Sequence, residues 1–282
     1  MRNFKVVLAY DGTDFVGWQR QASGLSIQGV LEDALRTLDD RDVTVNGAGR
    51  TDAGVHALAQ VASFALERSI ECDTLLRALN ANLPETVRVL SAAEAPPGFN
   101  PRFDARSKTY RYRIWNGPAL SPFERRYAWH YAGPLDVDAM DAAARRLEGR
   151  HDFAAFQTAG SDVATTERTI ISSRIVKLST TEDTKDTEEK SSSEAGSKLR
   201  VLGVLRGGAL INYDVTGDGF LRHMVRAVVG TLTEIGRGRR PVEWIDDVLA
   251  SRDRHAAGST VPAAGLFLVR VDYGERLAGE RD

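Results

Sequence analysis

The chain has 282 residues, more than one average domain, so two fused or interlocked halves with room for a sizeable core are expected. A hydrophobic fraction of 42% and a charged fraction of 27% exclude fibrous and wholly disordered classes. The net charge of −2 gives no global sign of a nucleic-acid partner, so any basic face must be offset by acid elsewhere.

No stretch is long and apolar enough for a membrane span. The opening MRNFKVVLAY stops at Asp11 and Gly12, too early for a signal peptide, and a cytoplasmic location is expected. Cys72 is the single cysteine, which excludes an internal disulfide and a cysteine-based metal cluster.

In chain order, Phe4, Val6 and Leu8 alternate as in a strand that ends at the Asp11–Gly12 turn. Ile27, Val30, Leu31, Ala34, Leu35 and Leu38 mark one helical face, with Ser26 as its N-cap. Short strands are predicted at Val43–Asn46 and Gln60–Leu66. Between them GAGRTDAGVHA places Arg50, Thr51 and Asp52 among Gly47, Gly49 and Gly54, which free the backbone to turn and let another molecule come close. A helix from Asp73 to about Asn82 ends before Pro84, and a strand follows near Val87–Ala92.

The second half repeats this rhythm. KTYRYRIWN reads as a strand with Tyr110, Tyr112 and Ile114 on one face and Arg111, Arg113 and Trp115 on the other. DVDAMDAAARRLEG reads as a helix closed by Gly149. ERTIISSRIVKL and LINYDVTG read as strands, and residues 179–198 between them as a disordered insertion without a core. Six acids and three lysines leave that insertion at −3, so the rest of the chain carries about +1. DGFLRHMVRAVVGTLTEIG reads as a helix with Phe220, Met224, Val228 and Leu232 inward, and Arg222 and Arg226 together on one face. LFLVRVDYG is a last strand. Many connections are too short for parallel crossovers, so the expected fold is α+β: two related halves, 1–104 and 105–282, with a largely antiparallel or mixed sheet, helices on it and a central cleft.

Basic and aromatic residues interleave in NPRFDARSKTYRYRIWN, the pattern suited to a polyanion whose bases can stack. Alone, TDAG is also an ordinary turn and each arginine cluster an ordinary solvated surface. His56, His130, His151, His223 and His255 share no metal-ligand spacing and read as structural or polar contacts. Two rivals to an RNA-modifying enzyme are an RNA-binding or chaperone protein without chemistry and a hydrolase built on Asp52 and His56.

YDGTDFVGWQRQ, GRTDAGVHA, NANLP, KTYRYRIWN, FLRHMVRAVVG and AAGLFLVRVDY, in that order along nearly the whole chain, resemble the tRNA pseudouridine synthase A family. The resemblance implies isomerisation of uridine to pseudouridine at positions 38, 39 and 40 of the tRNA anticodon stem-loop, by a homodimer with no cofactor and no metal. It further implies that Asp52 is the catalytic carboxylate and that Arg226 pairs with it. Arg50 then lies beside the flipped nucleotide, Tyr110 packs on the target base, and Leu266 lines the pocket. Arg222, Arg111 and Arg113 are candidate contacts to the RNA backbone. The chemistry needs no external group: a C–N glycosidic bond breaks, the base turns, and a C–C bond forms to the same ribose. One carboxylate suffices, whether it adds to the ribose C1′, adds to the uracil ring or acts as a base.

Overall fold

The computed structural model describes residues 1–158, 164–178 and 208–274, so the segment 179–198 lies outside the described residues. Along the chain run β1 (Arg2–Tyr10), α1 (Ile27–Asp39), β2 (Asn46–Gly47), β3 (His56–Leu66), α2 (Cys72–Asn82) and β4 (Val87–Glu94). The second half contributes β5 (Ser107–Asn116), β6 (Trp129–Tyr131), α3 (Val137–Arg145), β7 (Gly149–Asp152), β8 (Glu167–Leu178) and β9 (Ala209–Gly217). It ends with α4 (Met224–Gly236), α5 (Trp244–Ser251) and β10 (Leu266–Asp272).

These strands form one sheet in the order β4-β1-β3-β10-β5-β9-β8-β7, with β2 added to β3 and β6 to β5. Pairing is antiparallel except for β10 with β3 and β6 with β5, so the architecture is α+β with a mixed, mostly antiparallel sheet. The last strand does not lie at an edge. It sits between β3 of the first half and β5 of the second, pairing Phe267 with His56 on one side and Leu268 with Tyr110 on the other.

The periodicities read from the sequence bury what they should. Phe4, Val6, Leu8 and Tyr10 all point into the core, as period-two alternation requires. Ser26 caps α1 by accepting from the Gly29 N–H, and Ile27, Leu31, Ala34 and Leu35 are buried beneath it. α4 is apolar nearly all round and is accordingly buried nearly all round, with Thr231 and Thr233 returning their hydroxyls to the carbonyls four residues back. A single apolar cluster runs through both halves.

Four local expectations are corrected. Val43–Asn46 is not a strand: Val43 and Val45 are buried, but the Val45 backbone is held by side chains of α1, Gln28 donating to its carbonyl and Glu32 facing its N–H, and only Asn46–Gly47 joins the sheet. β3 begins at His56, four residues earlier than expected. The α3 helix stops at Arg145, and three successive bonds of the tighter i to i+3 type carry the chain to Gly149. That residue opens β7 instead of closing the helix. Phe220 precedes α4, which starts at Met224, so Arg222 lies ahead of the helix, exposed, and does not share a helical face with Arg226.

Candidate active site

Asp52 lies in the loop between β2 and β3, and the segment from Asp11 to Trp18 holds that loop in place. The Trp18 N–H donates to the Thr51 carbonyl, the Gly54 N–H to the Phe15 carbonyl, and the buried Thr51 hydroxyl meets the Tyr10 phenol at 2.8 Å. Two glycines make this possible. Gly54 has φ +76°, a region that favours glycine. At Gly17, with φ +113°, an added Cβ would lie 2.6 Å from the Thr51 carbonyl oxygen. The two motifs YDGTDFVGW and GRTDAGVHA are thus the two halves of one clasp.

The carboxylate faces the start of α4. Arg226 Nη1 lies 3.5 Å from Asp52 Oδ2, and His223 Nε2 lies 3.3 Å from the same oxygen. The Asp52 side chain is 29% exposed and that of Arg226 only 15%. Arg226 is braced by its Nε, which donates to the Val261 carbonyl at 2.8 Å. His223 is braced at its other nitrogen, Nδ1, 2.8 Å from the Thr158 hydroxyl. Burial pushes the His223 pKa down, and Arg226, Arg222 and Arg254 push the same way against the pull of Asp52, so the ring is neutral at pH 7. A neutral ring with Thr158 donating to Nδ1 carries its proton on Nε2, the nitrogen nearest Asp52. Arg226 and His223 thus both approach Oδ2.

His223 also carries backbone strain. It caps α4 with φ +61°, uncommon for a residue with a side chain and costing of the order of 1 kcal/mol. The sequence gives it only a structural or polar-contact role and does not point to Asp52 as its partner. The available signal was its place three residues before Arg226.

Tyr110 is buried on β5 on the same face as Tyr112, and Phe220 meets its ring edge-on at 4.9 Å. Burial first, then the adjoining Tyr10 and Asp52, push its pKa up, so the phenol keeps its proton at any ordinary pH. Leu266 opens β10 opposite Tyr112 and is 6% exposed, while Leu268 pairs with Tyr110. Arg50 is exposed and meets no acid among the described residues. Arg111 and Arg113 point from the other face of β5. Asp214 holds Arg111 through two bonds of 2.7 Å, and Glu124 holds Arg113 at 3.0 Å. Arg222 is exposed, and its carbonyl accepts from the Thr158 N–H.

The histidine that meets Asp52 is His223, and His56 is engaged elsewhere. His56 is buried, with Nδ1 taking the Gly12 N–H at 3.1 Å and Nε2 facing the Ala264 carbonyl at 3.2 Å. Its ring stacks on Phe267. Burial pushes its pKa down, against the attraction of Asp11 at 3.2 Å. Burial also opposes the charge of Asp11, but bonds from Thr13 and Tyr127 outweigh it and hold that carboxyl below its usual range. The unfolded chain therefore binds a proton at His56 that the native one rejects, so stability falls as pH drops below the ordinary histidine value of about 6.5. Urea midpoints measured from pH 7.5 to 5.5 should fall for the wild type and flatten in His56→Gln.

Among the described residues no three His, Cys, Asp or Glu side chains come together as a metal site. No helix among them is long and apolar enough to cross a membrane.

Comparison with known proteins places this geometry in a family. The sequence model described as tRNA pseudouridine synthase matches residues 6–104 and 143–274. The tRNA pseudouridine synthase A of Pelobacter propionicus is 45% identical over 97% of this chain and 100% of its own length. Those of Moorella thermoacetica and Geobacter sulfurreducens are 43% and 42% identical, covering 95% and 97% of this chain and 98% and 100% of their own lengths. Asp52, with the loop that carries it, and the His223–Arg226 segment both fall within the matched stretches, and the chain belongs to the tRNA pseudouridine synthase family.

Proposed function

We infer that Asp52 is the carboxylate through which this isomerase converts uridine to pseudouridine in tRNA, and that its targets are positions 38, 39 and 40 of the anticodon stem-loop. The observation that carries the reading is the clamp on one oxygen of Asp52 by Arg226 and His223, beside the buried ring of Tyr110. An adjacent cation favours the ionised acid, and the apolar walls of Leu266, Phe220 and Tyr110 exclude water from a cleaved uracil. The target base has to leave its stack at a cost of a few kcal/mol, which new stacking on Tyr110 and contacts from Arg50 to the strand offset. Arg226 and His223 hold Asp52 in place through Oδ2. The enzyme works as a homodimer in the cytoplasm, its first half (1–104) bearing the catalytic loop and its second (105–282) bearing Tyr110 and Arg226.

Forming the new C–C bond expels the hydrogen on C5 of uracil, so tRNA labelled with tritium at that carbon releases its label on turnover. Wild-type protein should release tritium from a transcript with uridines at positions 38 to 40. It should release none when only those uridines are replaced by cytidine. Release from the replaced transcript would refute the positional assignment while leaving the reaction intact.

A further inference from the structure

Most arginines on this surface meet a carboxylate, as Arg20, Arg41, Arg111 and Arg146 do. One group of cations does not. Lys108 stands two residues before Tyr110 on β5, hence on the same face and about 7 Å along the strand. Its side chain lies over the catalytic loop, with Nζ 3.7 Å from where a Cβ on Gly49 would sit. Among the described residues no acid faces its ammonium. The charges that act on it are those of Arg102, from the turn before β5, and of Arg168 on β8, whose Nε lies 3.1 Å from where a Cβ on Gly219 would sit. Arg168 donates only to the carbonyls of Thr165 and Glu167, and Arg102 lies over the Phe103 ring. Gly217 of β9, opposite Lys108 in the register, brings no charge.

Two like charges beside a half-buried ammonium disfavour the folded state, and no acid among the described residues offsets the cost. An anion from outside would. We propose that Lys108, Arg102 and Arg168 form a subsite for one phosphodiester of the RNA strand, next to the loop that carries Asp52. The proposal rests on the reading of the site as one for tRNA and names a contact at Gly49, three residues before Asp52. Burial, reinforced by Arg102 and Arg168, pushes the Lys108 pKa down to about 8. A bound phosphate favours the charged form, so binding RNA draws a proton onto Lys108 at alkaline pH and the affinity falls as pH rises through about 8.

The test is binding of an unmodified tRNA transcript to the full chain, over a range of salt concentrations and at pH 7 and 9, with tritium release measured in parallel. Lys108→Ala should weaken binding about tenfold at pH 7, lower the log–log salt slope by about one, and raise KM more than it lowers kcat. Lys108→Arg should restore binding and abolish the alkaline loss seen in the wild type. Unchanged affinity and slope in Lys108→Ala overturn the subsite, and so does a Lys108→Arg that binds no better than Lys108→Ala. If wild-type protein bound tRNA with this lysine dependence yet released no tritium, the subsite would stand and the catalytic reading would fall.

Discussion

Asp52→Asn is expected to abolish tritium release, lowering kcat by more than about 10⁴-fold, while tRNA affinity stays within about threefold of wild type. The carboxamide has the shape of the carboxylate, and its oxygen can still accept from Arg226 and His223, so the loop and the cleft keep their form. What disappears is the negative charge and the nucleophilic or basic oxygen. A protein that only binds or chaperones RNA would tolerate this exchange with little loss, and a hydrolase dependent on a metal would lose activity to a chelator. Activity in the wild type that resists chelation and vanishes in Asp52→Asn excludes both. Substantial turnover by the asparagine variant would remove Asp52 from the chemistry.

Arg226→Ala should lower kcat by about 10²- to 10³-fold, the usual cost of losing one preorganised donor at a reacting group. Single-turnover tritium release measures that loss directly, and a rate near that of the wild type would remove Arg226 from the chemistry. His223 allows a sharper experiment, because its strained backbone and its contact with Asp52 make opposite predictions. His223→Gly relieves the positive φ, so the thermal midpoint should hold or rise while activity falls. His223→Gln can still donate to Asp52 and should retain more activity than His223→Ala. A glycine variant that lost stability and kept its rate would show that the histidine serves the fold and not the reaction.

How far the site could be read beforehand depended on distance along the chain. The loop around Asp52 is local, and its glycines and the flanking strand are visible as a motif. Its clasp with Asp11–Trp18 and its partners on α4 come from residues far away in sequence, where spacing carries no information. Family resemblance singled out Arg226 but left His223 among the structural histidines. The start of α4 was misread for a related reason: Phe220 and Met224 continue the four-residue apolar spacing, and no glycine or proline interrupts them. The break comes from His223 adopting a left-handed conformation that aims its ring at Asp52, a local cost accepted at the site. Similarly, Val45 looked like strand because it is buried and β-branched, yet its backbone partners are side chains of α1.

The position of β10 bears on when the enzyme becomes active during its synthesis. Residues 1–104 can emerge and pair β1, β3 and β4 while the ribosome is still translating, but β3 lacks its neighbour until Leu266–Asp272 appear. That neighbour also fastens β3 to the strand bearing Tyr110. A nascent chain halted before this point would expose the unzipped borders of β3 and β5 and carry an unfinished pocket. Catalytic competence is thus deferred until β10 has been made, and a chain truncated before Leu266 should be inert and prone to pair through its open strand edges.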